Sequence, residues 1–154
     1  MSDVKYYLDC EFNGFGGELL SMALRRDGGG GGYWVNGWPT QIYDPWVAAN
    51  VVPILHAPGV EATIVGLEAL PAAIELMFKT WGDLDPIIVT DWPDDIKYFC
   101  QHIITGPGTM IGLNSIRFEM HRVDAYPTTV HGAVQHNAWW DAVALERRIS
   151  EDTP

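Results

Sequence analysis

The order of apolar segments along the chain constrains the fold more than any other feature of the sequence. Five segments have the length, the β-branched and aromatic content and the bounding turn residues of β-strands. They cover residues 4–12, 17–26, 32–38, 86–90 and 116–126. The first three follow one another directly, whereas the last two alternate with segments of helical periodicity. This order predicts an α/β domain with a mixed sheet.

Four further segments have the periodicity of amphipathic helices. They cover residues 43–55, 71–81, the stretch after "DWPDD" (91–95), and 138–150. In the first, Asp44 is predicted to be the N-cap, Pro45 lies in the first turn, and Pro53 is predicted to end the helix. Gly82 is predicted to close the second. The side chains predicted to face the core are, helix by helix, Ile74, Met77, Phe78 and Trp81; Ile96, Phe99, Cys100 and Ile103; and Ala138, Ala142, Leu145 and Ile149.

Two glycine-rich segments are predicted to be loops. The run "DGGGGG" at 27–32 has the composition of a phosphate-binding loop, but no Gly-Lys-Ser/Thr follows it and no helix begins there. We therefore predict a flexible hairpin tip for this run. The segment "GPGTMIG" at 106–112 is predicted to be a loop without further structure.

The length and the composition indicate the class of protein. A chain of 154 residues predicts a single domain that spans residues 1–154. No apolar run approaches the roughly 20 residues of a membrane span, and "MSDVKYY" lacks the apolar segment of a signal peptide. Two cysteines, Cys10 and Cys100, do not make a disulfide framework. We expect a cytoplasmic protein with reduced thiols and no membrane partner.

The acidic charge balance bears on the class of ligand. Nine Lys and Arg residues stand against twenty Asp and Glu residues, which gives a net charge of −11. Proteins that bind nucleic acids usually carry a basic surface, so this balance argues against such a partner. Carboxylates gathered around divalent cations would change that conclusion, because a bound cation can be the largest local charge in a site.

Asp9 and Glu11 are the first candidates for such a cation site. They lie two residues apart in the first predicted strand, so both carboxylates point to one face of the sheet. Two carboxylates this close repel one another unless a cation lies between them. Oxygen ligands of this kind suit Mg²⁺ or Mn²⁺ better than Zn²⁺.

A second acidic group, Asp91, Asp94 and Asp95, follows the apolar strand 86–90. In α/β sheets, ligands usually bind where strands lead into helices, and these carboxylates lie at such a junction. Asp94 and Asp95 also fit the first turn of a helix, where the helix dipole favours negative charge. Both interpretations stay open at this stage.

The third group is His136 and Asp141, at the start of the last predicted helix in "HNAWWDA" (136–142). Asp141 lies one turn into that helix, on the side of Leu145, so its carboxylate is predicted to point partly inward and to need a partner or a metal. His136 precedes the helix and is a natural general base. The alternative is an incidental histidine beside a solvated aspartate.

Taken in order, these groups resemble the motifs of the DEDDh family of 3′–5′ exonucleases, and most closely those of its ribonuclease AS type. The segment "YLDCEF" (7–12) is similar to that type's "YDTEF", and "ELLS" (18–21) to its "ELIS". The helix "WVAANVVPIL" (46–55) resembles "WVxxxVLPxL", and "HNAWWDA" resembles "HDALVDA". The tyrosine branch of these exonucleases would carry Tyr at position 137, where this chain has Asn137.

The resemblance implies a ribonuclease H-like fold, in which a mixed β-sheet is flanked by helices. It also implies hydrolysis of 3′-terminal phosphodiester bonds with two Mg²⁺ or Mn²⁺ ions and His136 as the general base. The implied metal ligands are Asp9, Glu11, Asp95 and Asp141.

One ligand of this set is open to an alternative. The spacing to Cys100 favours Asp95 as the ligand that follows the mid-chain strand. Asp94 is the alternative, and Asp91 is predicted to lie one turn too early.

Substrate and partner are the least constrained by the sequence. Arg25, Arg26 and Lys97 are candidates for binding the substrate, and Trp92 for stacking on a terminal base. The resemblance implies single-stranded RNA or a 3′ overhang as substrate, with DNA left open, and a homodimer. The competing functions are a non-catalytic nucleic-acid-binding module of the same fold and a metal-dependent phosphoesterase for nucleotides.

Overall fold

A six-stranded mixed sheet with helices on both faces forms the body of the structure, which is a computed structural model that describes residues 3–57, 59–125 and 134–151. The strands are β1 (Lys5–Phe12), β2 (Leu19–Arg26), β3 (Gly31–Asn36), β4 (Thr63–Val65), β5 (Ile87–Thr90), β6 (Ile104–Gly106), β7 (Thr109–Met110) and β8 (Arg117–Met120). The α-helices are α1 (Pro45–Asn50), α2 (Leu70–Thr80), α3 (Pro93–Ile103) and α4 (Ala138–Glu151). The predicted α/β class with a mixed sheet is confirmed.

The sheet has the strand order β4-β3-β2-β1-β5-β8, and β6 and β7 form a separate hairpin. β1, β2 and β3 are antiparallel neighbours, whereas β5 runs parallel to β1, and β8 runs parallel to β5. In the parallel pair, Tyr7 is opposite Val89. The chain therefore leaves β5 beside the middle of β1, where Asp9 lies.

The two faces of the sheet are covered by different helices. Tyr6, Leu8 and Cys10 of β1 are buried in a cluster with residues of α2 and α3, including Phe78 and Phe99. On the opposite face, α4 packs Leu145 and Ile149 against Tyr7 and Val89. Because side chains alternate along a strand, Asp9 and Glu11 share the face of Tyr7 and are directed towards α4.

Helix α1 is shorter than the sequence predicts. Its N-terminus is as expected, since Asp44 accepts hydrogen bonds from the backbone N–H groups of Trp46 and Val47 at 3.1 and 3.3 Å. The α-helix ends at Asn50, and residues Val52–Ile54 form one 3-10 turn. Pro53 has no N–H group and its ring would meet the carbonyl group four residues earlier, so the α-helix ends before it.

The prediction that Trp81 belongs to the core is wrong. Ile74, Met77 and Phe78 are buried as predicted, but Trp81 lies just beyond α2 and 42% of its surface is exposed. Its ring packs against the Arg26 guanidinium, 4.4 Å from the ring centroid. The left-handed backbone of Gly82, with φ of 65°, closes the helix as predicted and turns the chain away before another helical turn can bury Trp81.

The glycine run joins β2 and β3 as a hairpin, as predicted, but its glycines also fill positions that no other residue fits. Gly31 has a φ of 117°, and a Cβ atom there would lie 1.9 Å from the carbonyl oxygen of Leu24. A Cβ atom on Gly30 would lie 2.4 Å from the ring of Trp81. The glycines therefore do more than form the turn: they also let the chain pack closely against Leu24 and Trp81.

Replacing Gly31 with alanine is expected to destabilise the protein far more than replacing Gly28. Gly28 also has a positive φ, of 81°, but a Cβ atom there meets nothing within 4 Å. Backbone strain alone should lower the free energy of unfolding of Gly28→Ala by about 1 kcal/mol. The added backbone clash should lower that of Gly31→Ala by about 3 kcal/mol or more. Denaturant unfolding of the two variants checks this, and equal losses would contradict the fitted role of Gly31.

Three features of the remaining chain depart from the prediction. The segment 106–112, predicted to be only a loop, contributes to the hairpin of β6 and β7. The strand predicted at 116–126 is limited in the described residues to β8, and residue 126 lies outside them. The short edge strand β4 was not predicted. In the described part of the chain, no helix is both long and apolar enough to cross a membrane.

Candidate metal centre

The structure brings Asp9, Glu11 and Asp141 together. Asp9 and Glu11 project from β1 towards α4, and Asp141 lies in the first turn of that helix. One carboxylate oxygen from each of the three lies within 4.8 Å of the others. Asp9 and Asp141 are 132 positions apart in the sequence, so the packing of α4 on the sheet is what brings the three carboxylates together.

A buried asparagine fixes the start of α4 and with it the position of Asp141. The Asn137 amide donates hydrogen bonds to the Tyr33 hydroxyl at 3.3 Å and to the carbonyl oxygen of Ile54 at 2.8 Å. Its side-chain oxygen accepts a bond from the backbone N–H of Trp140 at 3.2 Å, as an N-cap does. Asn137 therefore ties the helix to β3 and to the segment that follows α1.

A second group contains Asp9, Asp91 and Asp95, whose carboxylate oxygens also lie within 4.8 Å of one another. Asp91 directly follows β5, and Asp95 is in the first turn of α3. Asp91 was predicted to lie one turn too early, but the parallel pairing of β1 and β5 places it beside Asp9. Asp9 is therefore common to two groups of three carboxylates.

The structure distinguishes the two neighbouring aspartates of α3. Asp95 is only 3% exposed, and it accepts hydrogen bonds from the Cys10 backbone N–H at 3.2 Å and the Thr90 hydroxyl at 3.0 Å. Asp94 instead accepts a hydrogen bond from the Trp92 indole N–H at 3.0 Å and belongs to neither group. Asp95 is thus held towards Asp9, and Asp94 is held towards the rim.

The cluster concentrates negative charge in a poorly solvated place. Burial raises the pKa of Asp9 well above its ordinary value, and the charges of Asp95, Asp141 and Glu11 raise it further. Burial and the adjacent Asp141 carboxylate likewise raise the pKa of Glu11 well above its usual range. The Oδ2 atom of Asp9 is buried and has no hydrogen-bond partner among the described residues. A buried carboxylate oxygen without a partner is costly unless a cation binds it.

The two remaining predicted ligands also have raised pKa values. Burial raises the pKa of Asp95 to about 8, although the hydrogen bond from Thr90 opposes the shift. Burial raises the pKa of Asp141 to about 7, opposed by hydrogen bonds from Glu11 and from the His136 backbone. Without a cation, the site therefore keeps protons that ordinary carboxylates lose near pH 4.

The metal-free protein is expected to lose stability as the pH rises from about 4 to about 8. In this range the raised pKa values let the folded state bind more protons than the unfolded state, so the free energy of unfolding falls with rising pH. Each 1 kcal/mol lost lowers the melting temperature by about 2–4 °C for a chain of this size. Melting in EDTA at pH 5 and pH 8 checks this, and a higher melting temperature at pH 8 would contradict it.

A cavity of about 400 Å³ opens beside the cluster. Its acidic lining residues are Asp9, Glu11, Asp44, Asp91, Asp94 and Asp95. Its aromatic lining includes three exposed side chains: Phe15, which is 96% exposed, Trp46 and Trp92. A negatively charged ligand can enter such a cavity only if bound cations offset the carboxylates.

His136 lies next to the cluster. The His136 backbone interacts with the Asp141 carboxyl and opposes the rise in its pKa. The His136 ring packs edge-on against Trp46, with 5.1 Å between the ring centroids, and Trp46 lines the cavity. His136 has a φ of 67°, a left-handed conformation that is costly for a residue with a side chain. Such strain is typical of functional sites, where surrounding contacts maintain it.

The basic residues predicted to bind substrate are engaged elsewhere. Arg25 forms an ion pair with Glu146 at 3.5 Å and lies over the Trp139 ring. Arg26 covers Trp81, and Lys97 lies over the Tyr98 ring. Of the four predicted substrate residues, Trp92 alone is among the residues that line the cavity in the described structure.

Sequence reasoning missed three residues of the site and wrongly set a fourth, Asp91, aside. Thr90 ends β5 and binds Asp95, and Phe15 and Trp46 line the cavity. A signal for Asp91 was present, because it is the first residue after an apolar strand predicted to be buried. Phe15 lies between Gly14 and Gly16, both with positive φ, in a turn that exposes the ring. No family model and no curated protein matches the chain.

Proposed function

We propose that the protein is a 3′–5′ exonuclease that depends on divalent cations and acts on single-stranded RNA. The observation that carries this proposal is the sharing of Asp9 by two groups of three carboxylates. Two adjacent cation sites with a common ligand fit the cleavage of a phosphodiester bond. The mixed sheet flanked by helices is consistent with a ribonuclease H-like fold, and the order of the acidic motifs is that of the DEDDh exonucleases.

The donor atoms of the centre suit Mg²⁺ or Mn²⁺, because they are carboxylate oxygens without a described cysteine or histidine among them. Glu11 and Asp141 would complete one site with Asp9, and Asp91 and Asp95 would complete the other. When bound, the two ions supply an activated water and neutralise the charge on the scissile phosphate.

The protein's own groups would perform the proton transfer. His136 is the proposed general base, which takes a proton from the attacking water. The His136 backbone interacts with Asp141, one of the proposed cation ligands, and the His136 ring packs against Trp46, so these two residues would orient the base. Thr90 and the Cys10 backbone hold the Asp95 carboxylate towards Asp9.

The mouth of the cavity favours a polynucleotide over a small phosphate ester. Phe15, Trp46 and Trp92 expose aromatic rings around an acidic centre, and a small phosphate ester would not need them. Nucleic-acid bases stack on such rings with little regard to sequence, and only unpaired bases are free to do so. The choice of RNA, and a homodimer as the active form, rest on the resemblance to the ribonuclease AS type.

Digestion of a 5′-labelled single-stranded RNA tests the proposal. In Mg²⁺ or Mn²⁺ the label should move through a ladder of products that shorten by one nucleotide, and EDTA should stop the reaction. A labelled DNA of the same sequence and a mononucleotide ester serve as the competing substrates. Early release of internal fragments would contradict exonuclease action, and hydrolysis of the mononucleotide ester alone would favour a nucleotide phosphoesterase.

A further inference from the structure

Arg122 contacts Trp92, which lines the cavity of the candidate metal centre, and no sequence motif had singled it out. The backbone N–H of His121 donates a hydrogen bond to the Thr90 carbonyl oxygen at 2.9 Å, which extends the pairing of β5 and β8 by one residue. The N–H of Val123 then bonds to the carbonyl oxygen of His121 at 2.9 Å, so the chain turns at Arg122. Thr90 immediately precedes Asp91, so this pairing holds Arg122 near the end of β5 from which the chain continues to Asp91.

The guanidinium group of Arg122 is held by Trp92. It lies over the Trp92 ring, 5.1 Å from the centroid, and the edge of that ring is fixed by the hydrogen bond from its indole N–H to Asp94. A guanidinium stacked on an indole keeps the N–H groups at its edge available for other bonds. The Arg122 cation thus covers one face of the Trp92 ring. That face is not available for stacking on a base of the substrate.

Arg122 differs from four of the other basic residues that the structure describes. Lys5, Arg25, Lys79 and Arg117 each lie within 4.0 Å of a carboxylate oxygen, whereas none of the described carboxylates lies that close to Arg122. The side chain is exposed. No described carboxylate within 4.0 Å therefore competes with an incoming phosphate for this guanidinium.

A polynucleotide would be stabilised by such a cation at this place. Cations bound in the centre can offset only the phosphate that lies on them, and the neighbouring phosphates face a protein with a net charge of −11. Arginine binds a phosphate through two parallel N–H bonds, a geometry that a stacked and oriented guanidinium favours. A mononucleotide has no neighbouring phosphate and would gain nothing from this contact.

We propose that Arg122, stacked on Trp92, binds a phosphate adjacent to the scissile one and so makes the site selective for a polynucleotide over a mononucleotide. This inference rests on the proposed nuclease function and deepens it. Trp92 then acts as the support of the arginine, rather than as a base-stacking surface on the face that Arg122 covers.

The affinity for a 5′-fluorescein-labelled single-stranded RNA oligonucleotide, measured by anisotropy in Ca²⁺, tests this inference without requiring cleavage. Arg122→Gln should weaken the binding by about tenfold, the usual scale of a charge-assisted hydrogen bond. The slope of log affinity against log salt should also fall by about 0.7. Competition by uridine 5′-monophosphate should give the same inhibition constant for the variant and the wild type.

Lys79→Gln is the matched control, since it removes one exposed positive charge from α2, away from the cavity. It should leave the affinity for the oligonucleotide unchanged. Three results would overturn the inference. Arg122→Gln could bind the oligonucleotide as tightly as the wild type, Lys79→Gln could lose as much affinity as Arg122→Gln, or the wild type could fail to bind the oligonucleotide. Failure of the nuclease function is a separate result, seen as absence of hydrolysis in Mn²⁺ by a protein that still binds the oligonucleotide.

Discussion

Replacing Asp9 with asparagine is expected to abolish hydrolysis and to raise the melting temperature of the metal-free protein. Asp9 is common to both carboxylate groups, so the variant loses a ligand from each cation site at once. Turnover should fall by at least about 10³-fold, since electrostatic stabilisation of the reacting phosphate depends on the bound ions. The same change removes a buried carboxyl group that has an unpartnered oxygen and is crowded by other carboxyls, and relief of about 1 kcal/mol would raise the melting temperature by about 2–4 °C.

Turnover and melting with and without Mn²⁺ measure both effects in one set of samples. Mn²⁺ at 100 times its dissociation constant should stabilise the wild type by about 2.7 kcal/mol, and Asp9→Asn should lose this gain. Asp94→Asn is the matched control, because Asp94 lines the cavity but belongs to neither group, and it should keep the stabilisation by Mn²⁺. Wild-type turnover in Asp9→Asn would contradict the assignment of the centre.

Replacing His136 with alanine is expected to lower turnover by about 10²- to 10⁴-fold, the usual contribution of a general base. The carboxylates that hold the cations remain, so binding of an RNA oligonucleotide in Ca²⁺ should change little. Raising the pH should partly restore turnover, because hydroxide can then replace the water that His136 would deprotonate. Turnover as a function of pH in both proteins measures this.

His136→Gly separates this role from a structural one. Glycine adopts the φ of 67° without strain, so this variant should fold with an unchanged or higher melting temperature and still lack turnover. If His136 only packed against Trp46 at the start of α4, both variants would be less stable and would turn over at nearly the wild-type rate. That pair of results would retire His136 as the base.

Most of the fold can be predicted from the sequence where a pattern is local. The apolar run of β5, the alternation in β1 and the cap at Asp44 depend on neighbouring residues, and all three match the structure. The misses depend on contacts between distant segments. Trp81 fits the helical stripe of α2, but its burial is decided by the turn at Gly82 and by Arg26 from another strand.

The candidate site follows the same division. The alternation of β1 predicts that Asp9 and Glu11 point the same way, and the periodicity of α4 predicts that Asp141 points inward. The register between β1 and β5 cannot be read from either strand alone, and it is this register that brings Asp91 to Asp9. Spacing along one helix favoured Asp95 over Asp94, and the hydrogen bonds from Cys10 and Thr90 now give that choice a physical reason.

Calorimetric titration of the metal-free protein with Mn²⁺ at pH 7 tests the central claim most directly. The wild type should bind two ions per chain and release protons, seen as a heat that depends on the ionisation enthalpy of the buffer. Protons must be released because the pKa values of about 8 for Asp95 and about 7 for Asp141 leave these carboxyls partly protonated at pH 7. Asp9→Asn should bind no Mn²⁺ ions or bind them far more weakly. A two-cation centre built on Asp9 would be contradicted if the wild type and Asp9→Asn bound two ions equally well. It would also be contradicted if the wild type bound no ion at millimolar Mn²⁺.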